Sequence, residues 1–367
     1  MSLIDTLRGT TVYELSLSRG YVRHWGVIEA IRELIQNALD SGSPFVYEIE
    51  KEDDGQHTLT LTSEFSTLTP QSLLMGATTK AEATDKIGSF GEGYKIALLV
   101  LTREKRNVAI WNGDRWWRPF FQLSRKYDDD VLCIEESPMP HRNKGLHFLV
   151  SDLSADEVAD VRASCLQMQS DIGEIRSTPK GEILLDREGM LYVGGLFICK
   201  TELKFSYNIK PEFIKLERDR KTVDSWDLKS TTRDMWFATG EHKRIAEMIE
   251  ANVPDVEYAR YSSPELVKAA CYELFRSKHP GAIVAESNEE LHRLIKQGMT
   301  NVVYVGDGYG SVVRSSRAYR NEAARVAPPT PLALMLSWWA GAKRHTHHDH
   351  HAGFNALLKA AAEWRLK

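Results

Sequence analysis

Glu29-Ala-Ile-Arg-Glu33-Leu-Ile-Gln-Asn37-Ala-Leu-Asp40 reads as a helix with two characters, and the fold turns on where each of them faces. At about 100° per residue, Val27, Ile31, Leu34 and Ala38 fall on one arc flanked by Ile28, Ile35 and Leu39, a broad apolar face that must enter a core. Glu33, Asn37 and Asp40 stand at i, i+4 and i+7, so their carboxylate and amide groups form one stripe on the other side. On an isolated helix such a stripe is a solvated surface. A second element is needed to make it a site.

Outward from that helix, Ser41-Gly42-Ser43-Pro44 stops it. Residues 45–50 and 57–62 form a predicted hairpin, with Asp53-Asp54-Gly55 supplying the turn. Residues 68–86 are polar and irregular, and then Gly88-Ser-Phe-Gly91-Glu-Gly93 opens the apolar run 96–101, which predicts loop, glycine turn and helix. Strands are predicted over 108–111, 131–134 and 146–150. Ser154 and Glu157 make a capping box for a helix to about residue 169. A second sheet is predicted between 181 and 209, followed by the charged segment Lys215-Leu-Glu-Arg218-Asp219-Arg220-Lys221. Beyond residue 255, helix and strand alternate, and two helices flank a histidine cluster near the end. The expectation is an α+β protein in three parts: an α/β sandwich at 1–153, a helix plus α/β domain at 154–254, and a mixed C-terminal region at 255–367.

Composition narrows the class. The 367 residues are 42% hydrophobic and 27% charged, which suits a folded globular chain and excludes a disordered one. With 47 basic and 51 acidic side chains the net charge is -4, so no overall field draws in a nucleic-acid backbone and nucleic acid is not an implied partner. Cys133, Cys165, Cys199 and Cys271 have no paired spacing, as expected of reduced thiols in a cytoplasmic protein. The N-terminus lacks a basic flank and an apolar run, so no signal peptide is expected. The apolar stretches 96–101 and 332–342 fall short of the roughly 20 residues a membrane span requires.

The glycine turn has the geometry in which backbone N–H groups at a helix start hold a phosphate. Its spacing is G-x-x-G-x-G, distinct from the dinucleotide fingerprint, and no Walker sequence occurs. His345-Thr-His347-His348-Asp349-His350 spells the H-x-H-x-D-H pattern of metallo-β-lactamase-type hydrolases. It lies between helices with little chain left for further ligands, and reads as an interhelical turn.

Glu33-x-x-x-Asn37-x-x-Asp40, then Gly76-Ala-Thr-Thr79-Lys80, then Ile87-Gly88-x-Phe-Gly91-x-Gly93-Tyr94-Lys95 resembles the GHKL ATPase superfamily, which includes DNA gyrase, heat-shock chaperones, sensor histidine kinases and MutL. The resemblance covers about residues 20–150. It implies a Bergerat-type fold at 1–153, a transducer-like second domain, and ATP with Mg²⁺ as ligands. Glu33 would be the general base, Asn37 a Mg²⁺ ligand, and Asp40 a support for the same face. Thr79, Lys80, Gly88, Gly91, Gly93, Tyr94 and Lys95 would line the nucleotide, and the segment between the boxes would be a lid. Lys215, Arg218 and Arg220 are candidates to reach the γ-phosphate, as against a surface ion-pair cluster around Glu217 and Asp219. The resemblance also implies a possible nucleotide-dependent homodimer and a protein partner.

One position departs from the pattern. The superfamily carries D-x-G-x-G after the strand between the boxes, and its aspartate accepts from the adenine amino group. Here Ser63 stands for the aspartate, with Phe65 and Thr67 for the glycines. Two readings follow, an ATP-hydrolysing switch and a non-hydrolysing interaction module on the same fold.

Overall fold

Tyr13, Leu15 and Leu17 point to one side of strand β1 (Thr11–Ser18), and the same alternation recurs along the strands that join it. The computed structural model describes residues 9–364 apart from 42, 65, 75–92, 140–143, 217–222, 297–298, 327–330 and 345–348. The protein is α+β. It divides into two compact units, residues 1–241 with 252–258, and residues 242–251 with 259–367.

In the first unit, β1, β2 (Val46–Lys51), β3 (His57–Ser63), β4 (Val108–Asn112), β5 (Arg115–Ser124), β6 (Asp129–Pro138) and β7 (Leu146–Leu153) form a seven-stranded antiparallel sheet in the order β1-β6-β5-β4-β7-β3-β2. Helices α1 (Val27–Leu39) and α2 (Gly93–Arg103) join one face of it in a single core. Ile31, Ile35 and Leu98 are fully buried there with Leu59, Leu61 and Trp117, each contributing roughly 1.5–3 kcal/mol relative to exposure. On the opposite face a row of half-buried side chains crosses the strands. Thr62 bonds His147 at 3.0 Å, the His147 and Trp111 rings lie 5.9 Å apart, and Trp111 is paired with Trp116.

Helix α3 (Ala155–Ser164) begins at the expected capping box, with Glu157 N–H donating to Ser154 Oγ at 3.2 Å and Ser154 N–H to the Glu157 carboxylate at 2.9 Å. It ends five residues earlier than expected, where the chain tightens into a 3-10 turn at Leu166–Met168. Strands β8 (Ile175–Thr178), β9 (Gly181–Leu184), β10 (Met190–Val193), β11 (Leu196–Lys200) and β12 (Ser206–Ile209) make a second sheet in the order β11-β10-β12-β9-β8, with only β10 and β12 parallel. Cys165, Met168 and Leu196 share the core of the first sheet, so both sheets fall within one unit, where the sequence reading set a boundary near residue 153. Helix α4 (Ser225–Thr239) packs on β8 and β9.

Strands β1 and β5 extend the sheet beyond the sequence expectation. Pro119 argues against a strand interior, yet β5 is central and pairs with β6 from Arg115↔Pro138 to Ser124↔Asp129. Burial of Trp117 outweighs the missing donor.

The second unit holds α5 (His242–Glu250), α6 (Glu265–Lys278), α7 (Asn288–Lys296), α8 (Asp307–Ser315), α9 (Arg317–Val326), α10 (Pro331–Ala342) and α11 (Asp349–Trp364), with β13 (Ile283–Ala285) and β14 (Val302–Tyr304) paired in parallel. Arg276 ties it together, donating to the Glu322 carboxylate at 2.7 Å and to the Ala282 carbonyl at 2.7 Å. Trp339 is buried against Phe354, their centroids 4.4 Å apart, whereas Trp338 is exposed. The four cysteines are free thiols, and burial pushes Cys133 up to about 11 and Cys271 up to about 12. Among the described residues no helix is long and apolar enough to cross a membrane.

Candidate functional site

Helix direction brings the two sequence boxes to one place. Arg103, in the last turn of α2, donates to the carbonyls of Tyr21 at 3.0 Å and Trp25 at 2.6 Å, just ahead of the start of α1. The two helices pack closely, so this clasp makes them antiparallel. Asn37 is ten residues past Val27 and Gly93 ten before Arg103, each about 15 Å from the clasp at 1.5 Å per residue. The C-terminal half of α1 therefore lies beside the first turn of α2.

The sheet delivers Ser63 to the same edge. Val46, six residues past Asp40, pairs with Thr62, so the chain leaving α1 enters β2 beside the end of β3. Leu59, Leu61 and Ser63 are buried in strict alternation, which puts Ser63 on the helix-covered face. Gly145 presses against this end. It has φ +81, and a Cβ there would stand 2.5 Å from the Ser63 carbonyl oxygen and 2.7 Å from Glu64 Cα. Glycine is required twice over, by the backbone angle and by the contact.

The polar stripe of α1 is not a wet surface. Glu33 is 7% and Asp40 6% exposed, and Gln36, one turn from each, is 5% exposed. Gln36 was missed in the sequence although its i+3 spacing from Glu33 places it on the stripe. Asn37 is half-buried, and its Nδ2 donates to the Glu33 backbone carbonyl at 2.7 Å. That bond uses the donor end of the amide and leaves Oδ1, the atom a hard cation takes. One amide oxygen is the whole of the hard-cation donor set that these bonds leave on the stripe. Among the described residues no group of three or more His, Cys, Asp or Glu is placed to hold a metal ion.

The first turn of α2 grips the chain that leads away from Ser63. Tyr94 OH donates to the Ser72 carbonyl at 2.7 Å and lies 3.0 Å from Ser72 Oγ. The fully buried Lys95 ammonium donates to the carbonyls of Ser72, at 3.0 Å, and Leu74. Tyr94 and Lys95 therefore tie the first turn of α2 to Ser72 and Leu74. Burial pushes the Tyr94 phenol up to about 12, so it remains a donor at neutral pH. A further brace comes from Asn112, whose buried amide accepts from Leu68 N–H at 2.9 Å and donates to the Leu68 carbonyl at 2.8 Å. Neither Asn112 nor Ser72 stands out in the sequence as a site residue.

Glu33, Asn37, Asp40, Ser63, Gly93, Tyr94 and Lys95 thus belong to elements that meet at one edge of the first unit. Thr79, Lys80, Gly88 and Gly91 lie outside the described residues, as do Arg218, Arg220 and His345–His348. Lys215 is exposed, next to the bridge between Leu216 and Val223.

The family described as the Mycoplasma pneumoniae MPN635 N-terminal domain matches residues 156–241, the stretch that carries most of α3, the second sheet and α4. An uncharacterized protein of Mycoplasma pneumoniae (strain ATCC 29342 / M129 / Subtype 1) is 26% identical over 212 residues, covering 54% of this chain and 86% of its own.

Proposed function

We propose that the first unit binds ATP with Mg²⁺ and hydrolyses it, as a switch that acts on a protein partner. The observation that supports this reading is the antiparallel clasp of α1 and α2, which brings the half of α1 that carries Glu33, Asn37 and Asp40 to the end of α2 that starts at Gly93. Each box alone is a common pattern, and their convergence at a shared edge is what a phosphate site requires. Asn37 Oδ1 would be the protein ligand of Mg²⁺, which would shield the triphosphate charge. Glu33 takes the proton of the attacking water while staying off the metal. Gly93 lets the chain approach the phosphates, joined by Gly88 and Gly91, and most of the rate comes from positioning and charge stabilisation. One of Lys215, Arg218 and Arg220 would reach the γ-phosphate. A nucleotide-dependent homodimer accompanies the switch.

Ser63 supports a second reading, a binding module that holds the nucleotide without turnover. Phosphate release separates the two. The ATPase reading expects Mg²⁺-dependent release that falls by about 100-fold or more in Glu33→Ala. Turnover equal to wild type in that variant removes Glu33 as the base. Binding without any release by wild type selects the module.

A further inference from the structure

We propose that the outer edge of β14, in the second unit, joins two copies of this chain strand to strand in a homodimer that needs no nucleotide. Strands β13 and β14 form a parallel sheet of two, which leaves two edges to be covered. Ile283 N–H donates to the Asn301 carbonyl at 2.9 Å, so Ile283 and, across from it, Asn301 and Val303 turn their polar backbone groups into the ladder. Val284 therefore faces outward, and its N–H donates to Tyr319 OH on α9 at 2.9 Å. The β13 edge is capped. On the other side Val302 and Tyr304 face outward, and among the described residues no further strand or loop hydrogen bond reaches their N–H and C=O groups.

The residues at this edge favour pairing. Asn301-Val302-Val303-Tyr304-Val305 is β-branched and aromatic, without the lysine or proline that blunts an exposed strand. All three residues of β14 are half-buried. Helix α7 packs over β13 and β14, yet none of its side chains is fully buried. Leu291 and Leu294 are half-buried, and Ile295 is 53% exposed. Glu290 accepts from Arg314 of α8 at 2.9 Å, and Ile295 stands about 140° around the helix from Glu290. Ile295 is thus on the flank turned away from Arg314, together with the exposed Asn288 and His292. That flank carries no carboxylate, ammonium or guanidinium to repel an identical one.

A second copy suits this edge by symmetry. With the strands antiparallel and Val303 on the two-fold axis, Val302 meets the partner's Tyr304, and each such pair exchanges two hydrogen bonds. Every outward donor and acceptor of β14 is then used. The axis runs through the sheet, so both α7 helices stay on one face of the joined sheet and bring their uncharged flanks together over the seam. A short strand and one helix flank bury a modest area, which sets the dissociation constant on the order of micromolar.

The test is sedimentation equilibrium of the full chain without nucleotide, at about 1 to 200 µM, on wild type, Val302→Pro and Ile295→Asp. Val302→Pro removes an outward N–H while sparing the ladder to β13, and Ile295→Asp puts a charge on the exposed flank. The expected result is a monomer–dimer equilibrium in wild type that each variant weakens by about tenfold or more, with circular dichroism unchanged. Val303→Cys should crosslink to its copy on mild oxidation where wild type does not, because residues paired on the axis lie about 4.5 Å apart at Cα, within disulfide reach. Should Val302→Pro fail to fold, Ile295→Asp and the crosslink decide. A wild type that stays monomeric throughout overturns the proposal and leaves the edge to a strand of another protein. A dimer that survives both variants, or one that forms only with an ATP analogue, overturns it as well.

Discussion

Two buried polar clusters in the first unit are built on opposite principles. At Asp255, fully buried, the carboxylate accepts from Lys204 N–H at 2.7 Å, Phe205 N–H at 3.1 Å and Tyr207 OH at 2.5 Å, while Trp236 Nε1 donates to Tyr207 OH and Thr232 to the Asp255 carbonyl. Burial beside this carboxylate holds Tyr207 well above the usual phenol range. Each oxygen is used, and the cluster pins residues 252–258 to the second sheet. At the edge where α1, α2 and β3 meet, Asn37 Oδ1 and the Ser63 hydroxyl make no bond to any described residue. A closed polar cluster is architecture. The edge at α1, α2 and β3 is where the proposed nucleotide would bind.

The contrast predicts different consequences for mutation. The largest loss of stability belongs to the closed cluster. Asp255→Ala strands two backbone donors and a phenol and should destabilise the first unit by about 3–5 kcal/mol, read by thermal or urea unfolding. A loss under 1 kcal/mol would mean the cluster is not a clasp. Next is Gly145→Ala, which combines a left-handed backbone angle with a backbone collision and should cost about 2–4 kcal/mol, along with weaker nucleotide binding. Wild-type stability in that variant would show that Ser63 is not set by this contact.

Tyr94→Phe removes the phenol from Ser72 and should cost about 1 kcal/mol at neutral pH. The folded phenol titrates near 12 instead of the ordinary 10. Its stabilising share is therefore fully present below pH 10 and is lost as pH rises from 10 through about 12. The wild-type advantage over Tyr94→Phe should shrink across that window, and an advantage that grows with pH would contradict the burial of this phenol. The smallest expected effect on stability is at the open cluster. Asn37→Ala should change unfolding by about 1 kcal/mol or less, because its loss leaves one helix carbonyl with its ordinary intrahelical partner.

Much of this edge was legible in the residues and some of it was not. The helix at α1, the hairpin that follows and the capping box at Ser154 are written in local periodicity and cap chemistry, which need no tertiary information. β5 was not read from the sequence; it carries Pro119, which lacks a donor, and its Trp117 is fully buried, which only the tertiary structure shows. Burial of Glu33 and Asp40 was equally invisible, since whether a polar stripe meets water or protein is decided by parts of the chain far away in sequence. The need for glycine at Gly145 was hidden for a related reason. Its role is fixed by the backbone of Ser63 and Glu64 across the sheet.

The most direct measurement is titration of the full chain with a non-hydrolysable ATP analogue and Mg²⁺, comparing wild type with Asn37→Ala. The account predicts saturable binding by wild type that Asn37→Ala weakens by on the order of tenfold or more, with the fold unchanged by circular dichroism. Absence of binding by wild type at millimolar analogue, or equal affinity in the two proteins, would contradict it.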